Sequence, residues 1–370
     1  MKILIAPDKF KGSLSGREVC QAIQQGFARY DPTIKTIAHP LADGGDGSLE
    51  VLSEYLSFEK VTVDTLDPLG RPIKASYFTN ENTAYVELPS ASGLVLLKDE
   101  ERNPTNTSTI GTGILIKDAL KKGFNKICLF LGGSATNDAG IGIARALGYS
   151  FINKENSIID PIGKNLLEIE DYKFNGPRST LSVSFTILCD VKNTMYGPNG
   201  AAYTFAKQKG ANTTEVEHLD AGLQKFASVV LKKTQKDIST IVGGGAAGGI
   251  AAGLSGLFNC QIKSGIQEIL TLTNFENVAR GVDMIISGEG KVDQTSLNGK
   301  VISALSSYTK THAIPLHLFV GQSDLMPEEG SPIKSIHAIA SVEKDINKAM
   351  KNGYGILENL AYEFIKNIHQ

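Results

Sequence analysis

The sequence predicts an α/β protein of two domains. One is a Rossmann/flavodoxin-like parallel-sheet domain formed by both termini; the other is an inserted α/β domain with a mixed sheet. Three observations predict this. Short apolar runs alternate with helix-period segments at both ends of the chain, the signature of a parallel sheet covered by helices. The stretch VTVDTLDPLGRPIKASYF at 61–78 breaks that rhythm with strand-like alternation around a DPLGRP turn, which reads as an antiparallel hairpin. A length of 370 residues suits about two domains. The expected domains are 1–66 with 282–370, and 67–281 between them.

Each element has its own warrant. Residues 2–6 are a short apolar run, read as a buried strand. Ser15 and Glu18 have capping-box spacing, and Val19, Ala22, Ile23 and Phe27 then follow the helical period. Pro32 falls after that helix has ended. A strand at 34–41 leads through ADGGDGS to a second helix, with Leu49, Leu52 and Leu56 on one face. Beyond the alternating region come a loop at 104–113, a helix to about Lys122, and a strand at 126–131. The glycine-rich FLGGSATNDAGIG follows at 130–142, then a helix ending at Gly148. A polar, less regular region precedes a strand at 183–189. Towards the C-terminus, strands are expected at 282–287, 316–320 and 336–340, with a helix at 296–311. The last helix carries Leu357, Leu360, Ala361, Phe364 and Ile368 on one stripe.

Composition excludes several classes. Lys plus Arg is 37 and Asp plus Glu is 39, a net charge of -2, so there is no footprint for nucleic acid or a membrane surface. Cys20, Cys128, Cys189 and Cys260 lie far apart without a CxxC pair, and the six histidines lack HExxH spacing. This predicts a reducing compartment and no zinc site. The N-terminal apolar run is broken by Pro7 and Asp8, too short for the apolar core of a signal peptide. A cytoplasmic location is expected. Residues 238–262 hold no charge and are long enough to span a bilayer, but glycines replace large apolar residues. The stretch reads as buried glycine-rich loop and helix.

Four acids sit just beyond apolar strand candidates: Asp8, Asp43, Asp190 and Glu289. In open α/β sheets, ligands bind at the carboxyl ends of strands. Four carboxylates delivered there suit a metal-phosphate site, although each alone also fits a cap or a turn. Glycine-rich segments stand beside them: GGDG at 44–47, GGSATNDAG at 132–140, GGGAAGG at 243–249 and SGEGKVD at 287–293. Such loops let backbone N–H groups approach an anion. Gly243, Gly245 and Gly248 formally match GxGxxG, and Glu268 lies about where a dinucleotide fingerprint wants an acid. The tract follows only a short polar stretch, so close helix packing explains the glycines as well. Lys9, Lys11, Arg102, Lys207, Lys209, Lys291 and Lys300 supply positive groups near the loops. Walker A, GxSxG and a Cys–His pairing are all missing. The inventory fits phosphoryl transfer, which is mainly positioning and electrostatic stabilisation.

Taken in order, the segments APDKFKGSLS (6–15), PLADGGDGS (40–48), ELPSASGL (87–94), GGSATNDAG, CDVKN with GPNGA (189–201), QKGA (208–211), GGAAGG (244–249) and SGEGKVDQTSLNGK (287–300) resemble the bacterial type I glycerate kinases nearly end to end. The resemblance implies ATP- and Mg²⁺-dependent phosphorylation of glycerate, in a cleft between two α/β domains. Lys9, Asp46, Phe205-Ala206-Lys207 and Asn298 depart from that family's usual pattern. On this reading Asp190, Lys11 and Asp8 are catalytic, with Asp190 orienting or deprotonating the glycerate hydroxyl. Arg102, Ser134, Thr136 and Asn137 bind glycerate. Gly244, Gly245, Gly288, Glu289 and Lys291 bind the nucleotide. Asp43 and Asp46 place Mg²⁺. Asp138 fits both a ligand role and a helix cap. The expected product is 2-phosphoglycerate, with 3-phosphoglycerate second. Alternatives are an NAD-dependent dehydrogenase using 243–248 and a non-catalytic metabolite-binding protein. The expected partners are small molecules, not nucleic acid or membrane; the sequence carries no signal for oligomeric state.

Overall fold

The computed structural model describes residues 1–293 and 300–368. The chain forms two compact units: Met1–Asp43, Glu50–Tyr55 and Ile266–Gln370 in the first, Gly44–Leu49 and Leu56–Gly265 in the second. The boundaries expected at 66 and 281 lie further along the chain than these divisions, so that the 59–66 strand falls in the second unit and the 275–279 helix in the first.

The first unit holds a five-stranded, all-parallel sheet in the order Ile333–Ala338, Leu316–Val320, Met284–Ser287, Lys2–Ile5, Lys35–Ala38. Strands from both ends of the chain therefore share one sheet. The helix Gly16–Tyr30 starts at the expected capping box, with Ser15 Oγ accepting from Glu18 N and Glu18 accepting from Ser15 N. It packs on the helix Ile346–Ile368, where Phe27 stacks on Phe364 at 6.1 Å. Ile3, Ile5, Val19, Ile23, Phe319 and Ile365 fill the core beneath.

Three expectations shift here. The last strand runs from Ile333 to Ala338 instead of 336–340, because Val320 pairs with Ala338 and the neighbouring strand ends there. The helix after GGDG is only Ser48–Leu52, leaving Leu56 outside it. The helix expected at 296–311 is seen as Val301–His312; the part expected before residue 300, including Asn298, lies outside the described residues.

The second unit holds a six-stranded mixed sheet: Asn259–Lys263, Ser184–Leu188, Lys126–Phe130, Thr83–Glu87, Pro72–Asn80, Glu59–Leu66. The first four strands are parallel; Pro72–Asn80 adds antiparallel to the Thr83–Glu87 edge, and Glu59–Leu66 adds antiparallel to Pro72–Asn80. The uncharged 238–262 stretch becomes turns, the buried helix Ala246–Leu257 and an edge strand. Among the described residues no helix is long and apolar enough to cross a membrane. None of the four cysteines is in a disulfide bond.

Two buried histidines give the first unit an acid-labile element. His39 is 3% exposed, between Tyr55 and Phe275, and His317 is 9% exposed, against Phe364. Burial lowers each pKa to about 4, with His337 and Lys334 adding to the effect at His317. The unfolded chain thus binds more protons than the folded one between pH about 6.5 and about 4. This contribution to stability is whole above pH 6.5 and is lost as pH falls to 4, by roughly 3 kcal/mol per histidine. Asp8, whose pKa is raised to about 7, acts in the opposite sense. Thermal unfolding of the wild type and of a His39→Phe/His317→Phe variant from pH 7.5 to 4 isolates the histidine part. The expected result is a flatter acid limb in the variant; parallel curves would show that neither histidine is responsible.

Candidate active site

In the first unit the strand order reverses between Lys2–Ile5 and Met284–Ser287. From the first strand the chain moves outward to Lys35–Ala38; from the second it moves the other way, to Leu316–Val320 and Ile333–Ala338. The carboxyl ends at such a switch point form the usual ligand crevice of an open parallel sheet. Asp8 follows the first strand, Glu289 the second, and Asp43 follows Lys35–Ala38. Asp43 and Glu289 both act on Asp8. Asp8 is raised to about 7, by burial first and then by the charges of Asp43 and Glu289; the Lys9 N–H, bonded to Asp8 Oδ1 at 2.7 Å, and the Lys9 charge oppose them.

Gly288 sits where no side chain fits. A Cβ there would lie 1.7 Å from the Phe319 carbonyl oxygen. Its own carbonyl accepts from Asp8 N at 2.8 Å, and the carbonyl of Glu289 accepts from Gly321 N at 3.2 Å. Lys11 is exposed, with its backbone nitrogen 3.3 Å from where a Gly290 Cβ would stand. Lys291 turns outward to an ion pair with Asp324 at 3.0 Å.

The second unit gathers its loops at the carboxyl ends of its four parallel strands. Asp190 follows Ser184–Leu188, and its Oδ1 accepts from Ser264 Oγ at 2.6 Å and Gly265 N at 3.0 Å. Gly44, at φ +84°, would bring a Cβ within 2.5 Å of Gly265 Cα. A Cβ on Gly132 would meet Asp46 N at 2.8 Å. The glycines of GGDG and GGSATNDAG thus permit backbone-to-backbone approach around Asp46, Ser134 and Asp190. Leu49 N donates to Glu87 Oε1 at 3.0 Å, tying the GGDG loop to another strand end.

Asp138, open between two roles in the sequence, is fully committed to structure. Its carboxylate accepts from Thr109 N and Oγ1, both at 2.8 Å, and from Gly140 N and Gly142 N. It clasps the start of the Ile110–Lys121 helix to that of Ile141–Ala146. Burial raises its pKa, against those bonds. Thr136 and Asn137 are wholly buried, and Thr136 Oγ1 and both side-chain amide atoms of Asn137 have no protein partner. A ligand reaches them only if the residues above them move. Ser134 is 6% exposed and accepts from the ammonium of Lys209 at 2.7 Å. Arg102 pairs with Asp99 at 2.7 Å on the surface.

The tract 243–249 meets the dinucleotide fingerprint in letters only. It follows turns, not a strand. A Cβ on Gly245 would lie 2.3 Å from Thr194 O, and one on Gly248 2.3 Å from Thr136 O. A Cβ on Gly244 would meet Ile241 O at 2.8 Å and Ala252 Cβ at 3.0 Å. Close packing accounts for these glycines, and the dehydrogenase reading loses its structural context.

The acid groups also bear on metal binding. Among the described residues no group of three or more His, Cys, Asp or Glu is set to hold a metal ion alone. Mg²⁺ takes only one or two carboxylates and fills its shell with water and phosphate oxygens, and Asp8, Asp43 and Glu289 provide hard oxygen donors of that kind. Asp43 lies in the first unit and Asp46, exposed, in the second.

Comparison with known proteins covers the whole chain. The profile described as "Glycerate kinase family" matches residues 3–369. A glycerate kinase of Bacillus cereus is 35% identical over 371 residues, 100% of this chain and 97% of the relative. Glycerate 2-kinase of Escherichia coli is 37% identical over 320 residues, covering 85% of this chain and 84% of its own. Among solved structures, a Salmonella typhimurium LT2 chain assigned as glycerate kinase 2 superposes with TM-score 0.83 at 32% identity, covering 100% of both chains.

Proposed function

The chain belongs to the glycerate kinase family, and from that premise we propose that it transfers the terminal phosphoryl group of ATP to glycerate, giving 2-phosphoglycerate. The observation that carries this reading is the convergence of Asp8, Asp43 and Glu289 at the carboxyl ends of three adjacent parallel strands, at the switch point of the sheet. Gly288 and Glu289 offer backbone and carboxylate beside Asp8, and Lys11 adds an exposed ammonium from the loop after Asp8. Asp190 is the base that orients the glycerate hydroxyl and takes its proton. Ser134 and the 132–137 loop take the substrate carboxylate, with Arg102 as a second cation. Asp43 would help hold Mg²⁺, which when bound neutralises charge on the phosphate oxygens.

Release of ADP with glycerate in a coupled assay tests the reaction class, and phosphorus NMR of the product tests the hydroxyl. Ligand binding without ADP formation across small hydroxy acids would favour a metabolite-binding protein. A 3-phosphoglycerate signal would overturn the regiochemistry alone. Asp43→Asn is expected to raise the Mg²⁺ concentration for half-maximal activity about tenfold, the loss of one charge-assisted contact. The same variant should show a weaker Mg²⁺-dependent rise in Tm with ADP present; an unchanged Mg²⁺ requirement in both measurements removes Asp43 from the metal site.

A further inference from the structure

We propose that Lys209 is a positioning residue, fixing the 132–137 loop in the conformation with which it meets the carboxylate of the substrate. The inference rests on the reading above that this loop takes glycerate.

Lys209 ends the short turn Lys207–Lys209 and is 2% exposed. A buried ammonium is costly unless it is bonded, so its partners are informative. Its Nζ donates to Ser134 Oγ and to Thr136 O, both at 2.7 Å. The two bonds straddle Ala135, whose own N–H is held by Ser92 O at 2.9 Å. The nearby acid does not claim the ammonium: the bonds of Asp138 go to Thr109, Gly140 and Gly142. Asp138 is the ionisable group that acts on Lys209, and it only partly offsets the effect of burial, which lowers the lysine to about 7.

The loop conformation is otherwise poorly rewarded. It buries Thr136 Oγ1 and the Asn137 amide without protein partners, and such groups are costly to desolvate. Two bonds from an ammonium offset that cost at the segment where it arises. A lysine serving the core alone would have no reason to be directed at a loop on the carboxyl end of the Lys126–Phe130 strand. Below pH about 7, where Lys209 is protonated, the placement also sets positive charge at a loop that receives an anion.

Steady-state kinetics on the full chain test this with wild type, Ser134→Ala, Thr136→Val, Lys209→Met, Lys209→Gln and the Ser134→Ala/Lys209→Met double variant. Lys209→Met should raise KM for glycerate about 10–100-fold, the scale of losing charged hydrogen bonds, while KM for ATP and kcat stay within about threefold. Lys209→Gln, which keeps a donor, should recover part of the loss. The double variant should cost less than the product of the two single effects, since Lys209 acts in part through Ser134. Independent, multiplying effects, or an equal fall in kcat and rise in both KM values, overturn the proposal. If Ser134→Ala and Thr136→Val raise KM for glycerate but Lys209→Met does not, the Lys209 role fails and the loop reading survives. If neither loop variant changes that KM, the loop reading fails and the proposal falls with it. If neither Lys209 variant folds, its role is structural and the proposal is overturned.

Discussion

Asp190→Asn is expected to lower turnover by about 10²–10⁴-fold at saturating glycerate, ATP and Mg²⁺, the range for losing a general base. The asparagine keeps the shape of the side chain and an oxygen that can still accept from Ser264 Oγ and Gly265 N, now 2.6 and 3.0 Å from Asp190 Oδ1. The variant therefore removes the charge and the proton acceptor while leaving the loop ties in place, and Tm should change little. Those two donors fix the rotation of the carboxylate, as a base requires before substrate arrives. Ser264→Ala, which loosens one tie, is expected to cost only about three- to tenfold. Measurement of kcat across a Mg²⁺ series separates base from metal holder. Rescue of Asp190→Asn by excess Mg²⁺, with none for Asp43→Asn, would mean the two roles are exchanged.

The strand-end acids were legible because a parallel sheet leaves a plain signature: an apolar run with an acid a few residues beyond it. Asp8, Asp43, Asp190 and Glu289 all follow a strand in the fold. The capping box at Ser15 was equally legible, since both of its partners are local in sequence. Elements whose pattern depends on distant partners were not. The helix Thr213–Thr234 is not one of these: the Asn212/Glu215 capping box and the buried stripe Val216, Leu219, Leu223, Phe226 and Val230 are both local signals that sequence reasoning missed. The edge strand Asn259–Lys263 is polar on alternate positions, and only its pairing with Ser184–Leu188 defines it. The hairpin Tyr149–Ile152 with Asp171–Phe174 joins segments separated by a long irregular stretch.

Lys209 shows the same limit at the site. A lysine beside glycine reads as a solvated charge, and nothing local signals that Ser134 and Thr136 lie at its ammonium. Asp138 shows the converse: its capping geometry was available from sequence, but its bonds to Thr109 come from another helix. The glycine tracts divide along physical lines too. Those at 44–47 and 132–133 permit approach between strand-end loops, whereas 243–249 permits packing of backbone on backbone inside the second unit.

Gly288→Ala is expected to destabilise the first unit by about 3 kcal/mol or more and to lower kcat/KM for ATP at least ~100-fold. The cause is space, not conformation, because the Gly288 φ lies outside the left-handed region. A Cβ would stand 1.7 Å from Phe319 O and 2.9 Å from Phe319 C, both backbone atoms of the neighbouring strand. No rotamer change relieves such a contact, so the strand ends must part by more than about 1 Å. Parting them strains the bond from Asp8 N to Gly288 O and that from Gly321 N to Glu289 O, 2.8 and 3.2 Å long. Asp8 and Glu289 then leave the switch point together, and an ångström of misplacement is enough to cost about a hundredfold in rate. Gly290→Ala is the control: its Cβ would meet Lys11 N at 3.3 Å, a contact the loop can relax by a few tenths of an ångström, so both Tm and kcat/KM should stay close to wild type. A drop in Tm of roughly 6–12 °C for Gly288→Ala alone is the expected pattern for a loss of that size. A variant that keeps its Tm but loses activity would mean that the carbonyl of Phe319 yields and that the effect is local to the nucleotide. One that keeps both would show that the close approach at Gly288 positions neither acid.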